Sequence, residues 1–148
     1  MKINIFNNAR VALKSMPDRK ILRKAVKTAL GDKAALDGEI NIVFVTEDEI
    51  IRLNRLYLSK NTLTDVIAFN YPPAGPTAEG PGFPFGDIFV CAHSAKLQAG
   101  NIGHSLKAEL LILTVHGALH LAGMDDATKK LRGEMDLRTR EIIALCAD

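Results

Sequence analysis

Apolar and polar residues alternate over Lys2 to Phe6 (KINIF), the period-two pattern of a half-buried strand. The period then changes. After Met16-Pro17, the residues Ile21, Leu22, Ala25, Val26, Ala29 and Leu30 recur at helical spacing and form one stripe. Pro17 suits the first helical position, and Gly31 suits the stop. Glu39 to Val45 (EINIVFV) is a second strand, with a partly continuous apolar run that predicts a central place in a sheet. Thr46 followed by Glu49 is a capping box, starting a helix that runs to about Tyr57. Leu58 to Leu63 is a turn-rich linker, and Thr64 to Phe69 is a third strand.

Residues 72–86 hold five of the six prolines and read as a loop. Gly86 to Cys91 is a fourth strand, expected to pair antiparallel with the third. Three helices follow: His93 to about Ile102, an almost wholly apolar one opening at His104-Ser105, and Thr128 to Ala144. This order predicts an α/β chain of the α+β sandwich kind, with a four-stranded mixed sheet and about five helices. At 148 residues the chain forms a single domain, 1–148, large enough to bury a proper core.

Composition narrows the class. An apolar share of 47% is ordinary for a globular domain. MKINIFNNARVAL lacks the unbroken apolar core of a signal peptide, and no stretch is apolar and long enough to span a bilayer. Cys91 and Cys146 are unclustered, which predicts reduced thiols, a cytoplasmic setting and no thiolate metal site. The net charge of +2 conceals an asymmetry: residues 1–33 carry nine Lys or Arg against two Asp, the remainder ten against fifteen acids. On the first helix Arg19, Lys20, Arg23, Lys24 and Lys27 form a basic stripe that could follow a phosphate backbone, or could simply be a solvated face.

The chemistry concentrates in HSLKAELLILTVHGALHLAGMDD, His104 to Asp126. His116 and His120 are four apart, so on a helix their imidazoles share one face and can offer two nitrogens to a zinc-like ion. Gly123 suits a left-handed cap that turns the chain back, bringing Asp125 or Asp126 toward a third ligand position. The plain alternative is a pair of hydrogen-bonded core histidines. A zinc peptidase is disfavoured, because Gly117 stands where HExxH has its general base.

Five blocks in order carry a likeness to a known family: LNRLY (Leu53 to Tyr57), TDVIAF (Thr64 to Phe69), GDI (Gly86 to Ile88), Gln98-Ala99 and HGALHLAGMDD (His116 to Asp126). Over about residues 40 to 145 the chain resembles the YbeY family of bacterial endoribonucleases and ribosomal-RNA maturation factors. The resemblance implies a zincin-like HxxxH helix and a metal-dependent, single-strand-specific endoribonuclease. It implies a role in maturing the 3′ end of small-subunit ribosomal RNA and in late-stage ribosome quality control. The implied partners are single-stranded RNA, the small ribosomal subunit and its assembly proteins, with no membrane.

The family's three metal-binding histidines fall on His116, His120 and Asp126. His116 and His120 are thereby the catalytic candidates, and one Zn2+ per chain is the implied cofactor. Aspartate at 126 weakens the Lewis acid and could shift preference toward Mn2+ or Mg2+. Asp125, Asp65 and Asp87 match motif positions; they are candidates to support the ligands from outside, the last two first as structural residues. A family arginine falls on Leu58, which can neither clamp a phosphate nor stabilise charge. Arg55 and Lys60 lie nearby. These two departures define an alternative reading, a catalytically weakened or silent assembly factor that binds the subunit without cutting RNA. Oligomeric state stays open.

Overall fold

The computed structural model describes residues 1–58, 64–71 and 82–146. Residues 59–63 of the turn-rich linker, Lys60 among them, and 72–81 of the proline-rich loop lie outside the described residues. Four strands form one sheet: β1 (Lys2–Asn7), β2 (Gly38–Val45), β3 (Val66–Asn70) and β4 (Phe83–Cys91). Their spatial order is β1-β2-β4-β3. β1 and β4 run parallel to β2, while β3 is antiparallel to β4, so the sheet is mixed as expected. β2 is central, and its continuous apolar run Ile42 to Val45 is buried on both faces.

β4 begins three residues before the Gly86 boundary read from the sequence. Pro84 lacks a backbone donor, which argues for a loop on sequence grounds. In the fold it sits beyond the end of the β3 pairing and beside a register irregularity at Glu39 and Ile40, where no donor is required. Gly86 is needed for close approach: a Cβ there would lie 2.7 Å from the Phe69 carbonyl oxygen.

Five helices complete the chain: α1 (Arg19–Leu30), α2 (Glu47–Leu58), α3 (Ala92–Ile102), α4 (Leu106–Leu121) and α5 (Lys129–Cys146). α1 starts later than Pro17 suggests. Asp18 is its N-cap, accepting from the Lys20 and Ile21 amides, so Pro17 lies just outside the helix. Gly31 ends it at φ 60. Thr46 caps α2 through the Glu49 amide at 3.3 Å.

α4 is the hub. It is apolar around most of its circumference and packs on the sheet with α1, α3 and α5 around it. The principal core joins Ile3, Ile5, Ile40, Ile42, Phe44, Ile88 and Val90 to Leu110, Leu113, Val115 and Leu119. On the opposite sheet face, a smaller core of Val43, Val45, Ile50, Ile67 and Cys91 lies under α2. Cys91 and Cys146 are both buried free thiols. No helix is long and apolar enough to cross a membrane among the described residues.

Candidate metal centre and RNA interface

His116 and His120 stand one turn apart near the C-terminal end of α4, both half-buried. Their placement depends on how close α4 rides to the sheet. Gly117, between them, leaves no room for a side chain: a Cβ would lie 2.5 Å from Ile88 Cγ2 on β4.

The helix ends in a Schellman turn. The Gly123 amide donates to the His120 carbonyl at 3.0 Å, and the Met124 amide donates to Leu119 at 2.9 Å. Gly123 adopts φ 104, the left-handed conformation expected of it. This reversal brings the next residues back over the helix end. Asp126 Oδ2 then lies 3.5 Å from His120 Nε2. The Met124 carbonyl lies 3.2 Å from His120 Nδ1. A carbonyl can only accept, so Nδ1 carries a hydrogen, and Nε2 is the ring nitrogen turned toward the carboxylate.

Asp125 turns elsewhere and accepts from the Ala127 amide at 3.0 Å, shaping the entry to α5. It holds this local turn rather than either imidazole.

His116 has a partner that local sequence does not suggest. Asp136, two turns into α5, places Oδ1 3.5 Å from His116 Nε2. Burial pushes the His116 pKa below its ordinary value, opposed by Asp136, Asp65 and Asp126. The ring therefore stays neutral, the state that can donate a lone pair. Among the described residues, no three His, Cys, Asp or Glu side chains are drawn together as a ready-made cage. What the fold assembles is two facing pairs, His120 with Asp126 through the turn and His116 with Asp136 through the packing of α5 on α4. Two imidazoles and adjoining carboxylates are a donor set suited to a zinc-like ion.

Asp65 and Asp87 separate. Asp65 accepts from Gln98 Nε2 at 3.1 Å and lines the same cavity as His116. Asp87 does not join the histidines. Gly86 and Ile88 on either side of it face α4, so alternation along β4 puts Asp87 on the far face. There it accepts from Asn41 Nδ2 at 3.0 Å and from the Tyr71 hydroxyl, cross-linking β2, β4 and the end of β3. That hydrogen bond pushes the Tyr71 phenol up to about 12. The role of Asp87 in this fold is structural.

Arg19, Lys20, Lys24 and Lys27 are exposed on α1, whose apolar face packs on α4 and α5. Arg23 is held back, its Nε donating to the Ile3 carbonyl at 3.2 Å. Leu58 is the last residue of α2 and is exposed, as is Arg55 one turn earlier. His93 and His104 are surface residues.

A cavity of about 970 Å³ opens beside His116 between α3, α4 and α5. Glu109, buried in its wall, has an Oε2 atom with no hydrogen-bond partner. Sequence reasoning passed over both Glu109 and Asp136. Glu109 left a signal, the single charge in the apolar run Ala108 to Val115, seven residues before His116. Asp136 left none, because only the packing of α5 on α4 brings it to the histidine.

A mixed sheet carrying a central helix with two histidines, one met by Asp126 from the turn and the other by Asp136 from α5, defines a class: an α/β protein with two imidazole–carboxylate pairs at the end of its central helix. The comparisons with known proteins narrow it. The family model described as endoribonuclease YbeY matches residues 4–147, and the chain belongs to that family. It is 46% identical to the endoribonuclease YbeY of Elusimicrobium minutum over 143 residues, covering 97% of this chain and 98% of the relative. It is 40% identical to the endoribonuclease YbeY of Staphylococcus carnosus over 114 residues, covering 76% and 74% of the two chains. Among solved structures, TM1509 from Thermotoga maritima matches with TM-score 0.55 and 25% identity, over 97% of this chain and 90% of its own.

Proposed function

We propose that the chain is a metal-dependent endoribonuclease that cuts single-stranded RNA at the end of α4. The observation that carries this reading is the turn at Gly123, which sets Asp126 against His120 while half-buried His116 stays neutral. His116 Nε2, His120 Nε2 and Asp126 would hold one divalent ion, with zinc suited to the imidazoles and manganese or magnesium to the carboxylate. When bound, such an ion supplies a Lewis acid toward the phosphate and lowers the pKa of a coordinated water.

The chain's own residues do the rest. The Met124 carbonyl fixes the His120 tautomer and ring direction. Asp136, beside His116, is placed to accept a proton from an attacking water. Lys20, Lys24 and Lys27 supply a positive face that draws a polyanion to the domain. Leu58 supplies no guanidinium for transition-state charge.

Family membership supports a natural substrate at the 3′ end of small-subunit ribosomal RNA, met on the small subunit with its assembly proteins during late quality control in the cytoplasm. The test uses a labelled single-stranded RNA spanning such an end. Cleavage that a chelator abolishes and added zinc or manganese restores supports the proposal. Metal-loaded, folded protein that binds the small subunit but leaves RNA intact would overturn it in favour of a silent assembly factor.

A further inference from the structure

Two charged side chains of α5 reach the end of α4 from one face of that helix. Asp136 sets Oδ1 3.5 Å from His116 Nε2. Arg132, four residues earlier and so one turn away on the same face, reaches Asp126 instead. Its Nη1 donates to the Asp126 carbonyl at 3.4 Å, while the carboxylate of that aspartate lies 3.5 Å from His120 Nε2. Arg132 and Asp136 on α5 thus run alongside His120 and His116 on α4, one turn against one turn.

An arginine and an aspartate at this spacing can pair with each other on the helix surface. Here the two make no such ion pair, and each turns to a different residue of the candidate metal centre. The backbone beneath Arg132 is fixed, because the Thr128 carbonyl and hydroxyl accept from the Arg132 and Leu131 amides at 2.9 and 3.1 Å. The guanidinium itself is lightly held. Its one hydrogen bond, to a neutral carbonyl, is long, the side chain is exposed, and it makes no ion pair among the described residues. Most of its N–H donors are therefore open. The first turn of α5 holds Lys129 and Lys130 and no acid, so no charge there neutralises it. Lys33 also reaches this end of α4, but it is half-buried, with its ammonium on the Leu121 carbonyl at 3.2 Å.

A guanidinium with open donors is complementary to a phosphate, whose oxygens it can meet two at a time. The gap to bridge is short. Arg132 and His120 both lie within direct reach of one residue, Asp126, so a single phosphate can touch the guanidinium and still face the imidazoles. Resting on the endoribonuclease reading above, we propose that Arg132 is a further catalytic residue, whose guanidinium donates to a non-bridging oxygen of the scissile phosphate. There it stabilises the negative charge that grows in the transition state. It exchanges the Asp126 carbonyl for the phosphate when the strand binds.

The test removes one positive charge from neighbouring positions of α5, by Arg132→Gln and by Lys130→Gln, and follows single-turnover cleavage of a single-stranded RNA by zinc-loaded protein. Both side chains are exposed, and circular dichroism checks the fold of each variant. At saturating RNA, Arg132→Gln should cut about tenfold to a hundredfold more slowly than wild type, the range for a hydrogen bond to a charged group. Lys130→Gln should stay within about twofold of wild type, as expected of a general attraction that saturation hides. Zinc retained after dialysis, read by elemental mass spectrometry, should be the same in Arg132→Gln and wild type. Equal saturated rates in Arg132→Gln and wild type overturn the proposal while leaving RNA cleavage intact. Zinc loss in Arg132→Gln as large as its loss of rate also overturns it, making Arg132 a support of Asp126 only. So does a Lys130→Gln rate as low as that of Arg132→Gln. Should wild type cut no RNA, the endoribonuclease reading falls and fluorescence anisotropy with the same RNA decides. Tenfold or greater weakening in zinc-loaded Arg132→Gln, with Lys130→Gln within about twofold of wild type, then supports a phosphate held at Arg132. Equal affinities in Arg132→Gln and wild type, or equal weakening in the two variants, overturn it.

Discussion

Gly117→Ala probes how tightly α4 is seated on the sheet, and through it the placement of both histidines. Gly117 is buried on the helix face toward β4, and an added Cβ would lie 2.5 Å from Ile88 Cγ2 and 3.3 Å from Cγ1. Ile88 is 0% exposed and lies within a strand paired on both sides. Its β-branched side chain has little freedom to rotate away. Two opposed terms decide the outcome. Alanine is favoured over glycine inside a helix by roughly 1 kcal/mol. Overpacking a close-packed core costs about 1–3 kcal/mol. The clash wins by about 1 kcal/mol, which for a domain of this size lowers the thermal midpoint by roughly 2–4 °C. Thermal and urea unfolding, followed by far-ultraviolet circular dichroism, measure it. Introducing the same change over Ile88→Ala, where the opposing branch is gone, should turn the loss into a gain. A Gly117→Ala protein about 1 kcal/mol more stable than wild type would show propensity acting alone and would refute the close seating.

Three further predictions concern single groups. Burial raises the Glu109 pKa above the ordinary 4.5, so wild type loses stability as pH climbs through the raised value. Glu109→Gln should therefore melt above wild type at neutral pH, with the gap closing as pH falls toward 4.5; a gap constant with pH would contradict this. Tyr71, hydrogen-bonded to Asp87, should ionise near pH 12 in an ultraviolet titration of a Tyr57→Phe background and return toward 10 in Asp87→Asn. Because its folded pKa is the higher one, the stability it contributes is complete below pH 10 and is lost as pH rises toward 12. Asp126→Ala should lower retained zinc after dialysis by tenfold or more, as read by elemental mass spectrometry. Equal metal content in wild type and variant would remove Asp126 from the ligand set.

Much of this molecule is legible in the sequence where the cause is local. The α4 helix, its Gly123 turn and the resulting approach of Asp126 to His120 follow from residues within one short segment. The central place of β2 follows from its continuous apolar run, and the antiparallel β3–β4 pair from strand order. Local signals also misled. Pro17 drew the start of α1 outward, when Asp18 is the residue whose side chain satisfies the first amides. Pro84 hid the first three residues of β4, because sequence does not reveal that the ladder beside it has already ended. Asp87 illustrates a different limit. Its motif match reads first as structural and only second as support for the ligands, without telling on which face it lies; the alternation of β4 turns it away from the histidines, where it joins β2 to β4. Asp136 and the Glu109 cavity are products of helix packing, and no periodicity within α5 or α4 announces them.

The most direct measurement of the central claim is single-turnover cleavage of an end-labelled single-stranded RNA by zinc-loaded wild type, His116→Ala and His120→Ala, with folding of each checked by circular dichroism. Wild type should cut the strand, and each folded alanine variant should cut at least a hundredfold more slowly, because an open lone-pair donor has been removed from the centre. Folded His116→Ala or His120→Ala cutting at the wild-type rate would place the chemistry somewhere other than the end of α4.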